Sequence, residues 1–486
     1  MTLMGAGNGQ RTYDIAVVGA GVVGAAIARE LSTYELSTVV LEAGHDVGTG
    51  TSKANTAIRH TGFDAKPGSL EAALLRRSYP LLSEYAARTG IPLETPGALL
   101  VAWSPDQLAR IESLRLQAKA NGCDDVHVVT TEAIYAAVPT LGPGAMGGLA
   151  VPGEGIVCPF TMPLAFATEA VTNGVRIELD APVRSIEPDA GAYQLTTPRG
   201  RVRARWIVNA AGLSSDLVDR MMGHERFTIR PRRGQLIVFD KLARPLVSSI
   251  LLPVPTPVSK GVLIAPTVFG NVLLGPTAED LNDRRATQTT REGLDDLLAK
   301  GHRILPALVD EEVTATYAGL RAATEHTDYQ IHCDPAERYV CVAGIRSTGL
   351  SAAMGIAAYV VDLLRDAGLG LRRSAMHREV RMPPIGESQL RRFRDHEAIA
   401  SRPEYGEIVC FCERVTRGEV LDALVGPLPA RCADGLRRRT RAGLGRCQGF
   451  YCSATLSALL EERRGLPSAL PCHEDDLVGS RPPRAQ

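Results

Sequence analysis

Four cysteines near the C-terminal end of the chain stand in two close pairs, Cys410 and Cys412 as C-x-C, then Cys447 and Cys452 as C-x4-C. Four thiolates gathered from two loops suit a tetrahedral metal ion or a 2Fe–2S cluster, and the softness of sulfur admits zinc or iron. Structural zinc prefers wider spacing within each pair, so the single residue between Cys410 and Cys412 argues for iron. A second chemistry lies at the other end of the sequence. Gly19, Gly21 and Gly24 follow G-x-G-x-x-G spacing. The first glycine permits a tight turn, the second a close approach of backbone to a pyrophosphate, and the third contact between helix and strand. Glu42, closing the next apolar run, is suited to accept hydrogen bonds from ribose hydroxyls and would repel a 2′-phosphate.

Each motif needs elements to hold it. The apolar run Ile15–Val18 predicts a strand ahead of the glycine turn, Val23, Ile27 and Leu31 share a helix face behind it, and Thr38–Leu41 reads as a second strand. The helix start then offers unpaired N–H groups and a positive dipole end to phosphates. Both cysteine pairs also precede helices: Thr416–Glu419 is a capping box ahead of Val420, Leu421 and Leu424, and Leu456, Leu459 and Leu460 follow Cys452. Helix N-termini, with Arg446 and its neighbours, can offset the negative charge of a cluster. Between these ends, Ser69–Thr89, Pro105–Ala120 and Thr289–Leu305 are periodic as helices, and Ile229–Asp240 and Lys260–Asp280 alternate as half-buried strands. Gly270-Asn271 predicts a hairpin turn. Val340–Leu364 reads as strand, glycine turn and long apolar helix.

The segment Gly48–Asp64, with Thr51, Ser52, Asn55 and then His60-Thr61-Gly62, is similar to the segment that follows the ribose-binding acid in FAD-dependent oxidoreductases of the D-amino-acid oxidase and glycerol-3-phosphate dehydrogenase superfamily. The turn towards Val183 and the strand ending at Asn209, Ala210, Ala211 and Gly212 resemble that superfamily's later FAD contacts. Pro231–Gly234, Ala265–Asp280 and Ala318–Arg321 resemble signatures of its glycerol-3-phosphate dehydrogenase branch. The turn carrying Gly344, Arg346, Gly349 and Leu350 resembles the closing segment, whose backbone N–H groups face the flavin. The last module resembles the bacterioferritin-associated-ferredoxin-like 2Fe–2S domain, with Cys410, Cys412, Cys447 and Cys452 as ligands and Cys432 outside the set.

The resemblance implies FAD and a 2Fe–2S cluster as cofactors. It implies an α/β fold: a Rossmann-like FAD-binding domain, an inserted α+β substrate domain built on an antiparallel sheet, and a small helical C-terminal 2Fe–2S module. The expected boundaries are 13–375 for the oxidoreductase, 376–405 for a linker, 406–465 for the cluster module and 466–486 for a tail. Within the first, FAD-binding segments are expected at about 13–80, 150–225 and 325–370, and substrate-domain segments at about 81–149 and 226–324. His60 is the expected base, since imidazole titrates near neutrality. Arg321, with Arg346 or Lys260 in support, is expected to bind the anionic end of a small substrate, which a guanidinium can grip bidentately.

Composition sets the remaining bounds. Lys+Arg and Asp+Glu both number 54, so no net charge recruits nucleic acid or a membrane surface. Residues 1–12 lack the apolar core of a signal peptide, no run approaches the length of a membrane span, and the ten cysteines are therefore expected in a reducing compartment, the cytoplasm. The leading expectation is a dehydrogenase oxidising a small anionic secondary alcohol such as glycerol 3-phosphate and passing electrons to an external acceptor, either a quinone-linked membrane subunit or a soluble carrier. Alternatives are a 2-hydroxy-acid dehydrogenase of the 2-hydroxyglutarate kind, an amine or imino-acid oxidase, and, from another class, a non-catalytic electron-transfer or docking subunit.

Overall fold

The computed structural model describes residues 11–255 and 261–464, so Lys260, the first ten residues and the tail from 465 lie outside the described residues. The chain divides into two compact units, residues 1–389 and 390–486.

The first unit is built on two sheets. In the larger part of its eight-stranded sheet, five strands run parallel in the order Arg176–Glu178, Thr38–Leu41, Thr12–Val18, Gly200–Asn209, Tyr339–Ala343. These strands are largely apolar because both faces are covered: Ile15, Ala16, Val17, Val39, Val40, Ile207 and Val208 are fully buried. Helices Val22–Leu31, Leu70–Thr89, Thr161–Thr172 and Gly349–Asp366 pack together over it. The strand Gly200–Asn209 is long enough to pair twice. Its first half joins the antiparallel wing Ser185–Asp189 and Ala192–Thr197, and its second half lies beside Tyr339–Cys341. The glycine turn, the loop after Glu42 and the turn at Ala210–Gly212 thereby share the carboxyl ends of the parallel strands, where ligands bind in such folds.

The second sheet has nine strands. Arg230–Phe239 and Val313–Ala323 form its longest antiparallel pair, with Arg232 directly opposite Arg321. The sheet is antiparallel except where Ile250–Pro253 runs parallel to Ala98–Ala102. The predicted hairpin at Gly270-Asn271 joins Leu263–Pro266 to Val272–Gly275, with Gly270 at φ +86°. Residues 382–389 stay with the first unit: the Met382 N–H donates to Thr89 O at 2.7 Å, and Gln389 Nε2 to Gly90 O at 2.9 Å.

The second unit begins at residue 390, inside the stretch expected as a linker, and its first residues fold rather than extend. The helix His396–Ser401 is capped by Asp395, whose side chain accepts from the Ala398 N–H. The helix Arg417–Ala423 starts with the predicted capping box, Thr416 and Glu419 bonding each other's backbone. With Ala433–Thr440 and Ser453–Arg464 it encloses a small core of Val415, Val420, Leu436, Leu456 and Leu460.

Candidate functional site

A single cavity of about 890 Å³ runs from the glycine turn of the first unit to the nine-stranded sheet. Gly19 stands at φ +103°, and a Cβ there would lie 2.5 Å from Ala210 O. A Cβ on Gly24 would lie 2.0 Å from Gly19 O, which seats the helix on the turn and keeps Gly24 behind the cavity wall. Gly21 differs: a Cβ there would touch only Ser52 Oγ, at 3.4 Å, so the space it leaves is open to the cavity. That cradle, at the start of a helix with no acidic residue in its first turn, fits a pyrophosphate. Glu42 accepts from Ala20 N–H at 2.5 Å and Gly44 N–H at 2.7 Å, and burial holds its carboxyl above the ordinary range despite those bonds.

The loop beyond holds itself in place. Ser52 Oγ accepts from Val22 N–H at 2.9 Å, Asn55 Nδ2 donates to Ser52 O at 2.8 Å, and Thr51 Oγ1 donates to Leu320 O at 2.7 Å. Gly319 permits that last approach, since its Cβ would collide with Ala54 O at 1.9 Å. Thr51, Ser52, Asn55, Val183, Ala211, Gly212, Gly344, Gly349 and Leu350 all line the cavity. The helix Gly349–Asp366 begins there without a side-chain cap, leaving its first N–H groups to whatever fills the space.

His60 lines the same cavity, and the structure gives it a partner that sequence reading missed. Ile58–Arg59 pairs antiparallel with Gly155–Ile156 in a short three-stranded sheet. The next residues on each side are His60 and Glu154, and their side chains meet, His60 Nδ1 lying 3.0 Å from Glu154 Oε2. Glu154 is wholly buried, and its other oxygen accepts from Thr61 N–H at 2.6 Å and Thr61 Oγ1 at 2.9 Å. The buried guanidinium of Arg59 lies behind it against Gly155, stacked 4.0 Å over the Tyr79 ring. From the other side, Ser351 Oγ accepts from His60 N–H at 2.8 Å.

Arg321 faces the cavity from the nine-stranded sheet. Among the described residues its side chain makes one hydrogen bond, a long one of 3.5 Å to Thr277 O, and has no carboxylate partner. Burial, with Arg232 adding its charge, holds its guanidinium down to about 10. Gly234 makes the room: a Cβ there would lie 2.8 Å from Arg321 Nη2. Arg232, opposite, has Asp280 at 3.4 Å. Arg232 and Arg321 face each other across the strands and repel, and Asp280 pairs with Arg232 from the next strand over, so an anion beside Arg321 would relieve the repulsion. Arg346 also lines the cavity, but at φ +53° its guanidinium bonds His326 O instead. Lys260 lies outside the described residues, so the geometry assigns it nothing.

In the second unit the four cysteines meet in two contacting pairs, Cys412 with Cys447 and Cys410 with Cys452. Cys410 also acts on Cys412, and Cys447 on Cys452, so the two pairs face each other at one place. Four thiols in two facing pairs fit a 2Fe–2S cluster, each pair able to hold one iron. Backbone N–H groups of Tyr451, Gly449 and Phe450 hold the Cys447 thiol below its ordinary range. Burial and the neighbouring Cys410 push Cys452 up to about 12, a penalty that bound metal charge would reverse. Cys432 is buried one residue before the helix Ala433–Thr440.

Comparison with known proteins gives a family for each of the two parts of the chain. Residues 14–363 match the family model described as FAD dependent oxidoreductase. The chain belongs to that family. Residues 408–462 match the BFD-like [2Fe-2S] binding domain, so this FAD-dependent oxidoreductase carries a second redox module. A glycerol 3-phosphate dehydrogenase of Caloramator mitchellensis is 35% identical over 455 residues, covering 93% of this chain and 95% of the relative. One subunit of the anaerobic glycerol-3-phosphate dehydrogenase of Escherichia coli K12 is 25% identical, covering 93% and 88%. The dithionite-reduced, FAD-bound structure of Mycoplasma pneumoniae L-alpha-glycerophosphate oxidase superposes with a TM-score of 0.72 at 30% identity, over 76% of this chain and 98% of that one. No helix among the described residues is long and apolar enough to cross a membrane.

Proposed function

We propose that this oxidoreductase dehydrogenates the secondary alcohol of a small phosphorylated polyol, glycerol 3-phosphate or a near analogue. Its electrons would leave through the 2Fe–2S module to an external acceptor, a quinone-linked subunit or a soluble carrier. The observation that carries the reading is Arg321, a guanidinium without a carboxylate partner among the described residues, set in the same cavity as the His60–Glu154 pair. The names of the relatives point to the same substrate class.

FAD, when bound along the Gly19–Gly24 turn, supplies the two-electron acceptor for hydride from the carbinol carbon. The rest falls to this chain's own side chains. Arg321 holds the phosphate and so fixes the carbinol end. Glu154, able only to accept when ionised, keeps the imidazole proton on Nδ1 and leaves Nε2 as the basic atom that takes the hydroxyl proton. Thr61 and Arg59 stabilise the buried carboxylate that does this. We assign 13–375 to the oxidoreductase, 406–465 to the cluster module and 466–486 to a tail; the connection 376–405 divides at residue 390, its first part packed on the first unit and its last carrying the helix His396–Ser401. We place the chain in the cytoplasm, since none of the nine cysteines among the described residues is in a disulfide and thiolate ligands suit a reducing compartment.

The test is a steady-state comparison with a phenazine dye as acceptor. sn-Glycerol 3-phosphate should give the highest kcat/KM against L-2-hydroxyglutarate, L-proline and sarcosine. A preference for 2-hydroxyglutarate would overturn the polyol-phosphate reading and leave Arg321 as a carboxylate binder.

A further inference from the structure

The chain contains 9 Phe, 12 Tyr and 2 Trp, and every one of them lies among the described residues. Twenty are buried or half-buried. The exposed ones are Phe411 at 74%, Phe450 at 81% and Tyr451 at 75%. All three flank ligands of the cluster module: Phe411 sits between Cys410 and Cys412, and Phe450 and Tyr451 sit between Cys447 and Cys452. The Phe450 and Tyr451 rings meet edge to face with centroids 5.2 Å apart, so they form one apolar surface rather than two separate side chains. A fold that hides every other ring has reason to hide these, because exposed aromatic surface is costly unless a partner covers it.

The charges on the same two loops say what kind of partner. Arg446, beside Cys447, is exposed, and Arg414, beyond Cys412, is partly so. The Arg437 guanidinium lies against Gly443 and Gly449 of the second loop. The acid of the loops, Glu413, is buried against Arg441 at 2.8 Å, so neither loop presents a carboxylate. An aromatic centre beside arginines, on two loops without an exposed acid, complements a protein surface that is apolar at its middle and acidic at its rim.

We propose that Phe411, Phe450 and Tyr451 form the docking face for an acidic one-electron carrier protein, the soluble form of the acceptor. This rests on the cluster module receiving electrons from the alcohol oxidation proposed above. Each alcohol oxidised to a ketone yields two electrons and two protons. Two carrier molecules take one electron each through this face, and the protons pass to solvent. A face of three rings beside arginines suits the brief encounters typical of redox partners, steered by charge and weakened by salt.

The test uses the full-length, cluster-loaded protein with an acidic rubredoxin as probe and basic cytochrome c as its charge-opposite. Binding is measured by calorimetry without substrate, and carrier reduction is then followed with glycerol 3-phosphate. The face requires that rubredoxin bind, more weakly as salt rises, and that cytochrome c bind less. It requires Phe450→Ser with Tyr451→Ser, and separately Phe411→Ser, to lower rubredoxin binding and reduction about tenfold or more. Cluster absorption and substrate-driven phenazine reduction should stay at wild-type levels. Unchanged rubredoxin binding in the variants, or equal binding of cytochrome c, overturns the face. Retention on phosphatidylglycerol vesicles through the same rings, without rubredoxin binding, would give the surface to a membrane. Failure of glycerol 3-phosphate to reduce phenazine overturns the substrate reading instead, and the calorimetry still decides the face.

Discussion

Replacing Glu154 by Gln tests the least anticipated feature of the site. The side chain is wholly buried, and the substitution keeps its volume, so no cavity opens. The amide oxygen can still accept from Thr61 N–H and Oγ1. The amide NH2 then faces His60 Nδ1, 3.0 Å away in the native pairing, and Nδ1 must accept. The ring proton moves to Nε2, and the imidazole can no longer take a proton there. A hydrogen bond to a charged group is worth about 1.5–3 kcal/mol, and at about 1.36 kcal/mol per decade the loss in kcat is roughly 10- to 160-fold. KM should hold within about twofold, because Arg321 is untouched. The assay is dye-coupled oxidation of glycerol 3-phosphate at saturating acceptor, with flavin content and Tm checked alongside. A kcat within twofold of wild type, or a loss confined to KM, would refute the pairing as a positioning device.

Arg321→Ala should raise KM for the phosphorylated substrate by roughly ten- to a hundredfold with a smaller change in kcat, read from the same assay. Arg321 grips an anion only while protonated, so affinity present below about pH 10 should be lost as pH rises through that value, and kcat/KM should fall there. Gly21→Ala meets only Ser52 Oγ at 3.4 Å within the protein, so the chain should fold, seen by circular dichroism, yet retain little FAD on purification. Cys452→Ser should abolish the cluster's absorption and the reduction of one-electron carriers while glycerol 3-phosphate still bleaches the flavin bands.

Much of this was legible in the sequence because it rests on local rules. The glycine turn, the strand before it and the acid after it lie within one βαβ unit, where each residue type has a steric reason. The capping box at Thr416–Glu419 is likewise a four-residue pattern. What escaped is non-local. Glu154 reaches His60 across 94 residues through a strand pairing two residues long, too short to leave any periodicity. The parallel pairing of Ile250–Pro253 with Ala98–Ala102 depends on the path of the intervening chain, which alternation does not encode. The folding of residues 396–401 inside an expected linker had a local sign, Asp395 as N-cap, which the charged composition of the segment obscured.

The most direct test of the account is an absorption spectrum of the anaerobically purified protein, recorded before and after adding sn-glycerol 3-phosphate. Flavin bands and the broader cluster absorption should both be present at the start, and both should bleach with this substrate. Bleaching by L-2-hydroxyglutarate or L-proline but not by glycerol 3-phosphate would contradict the proposed chemistry.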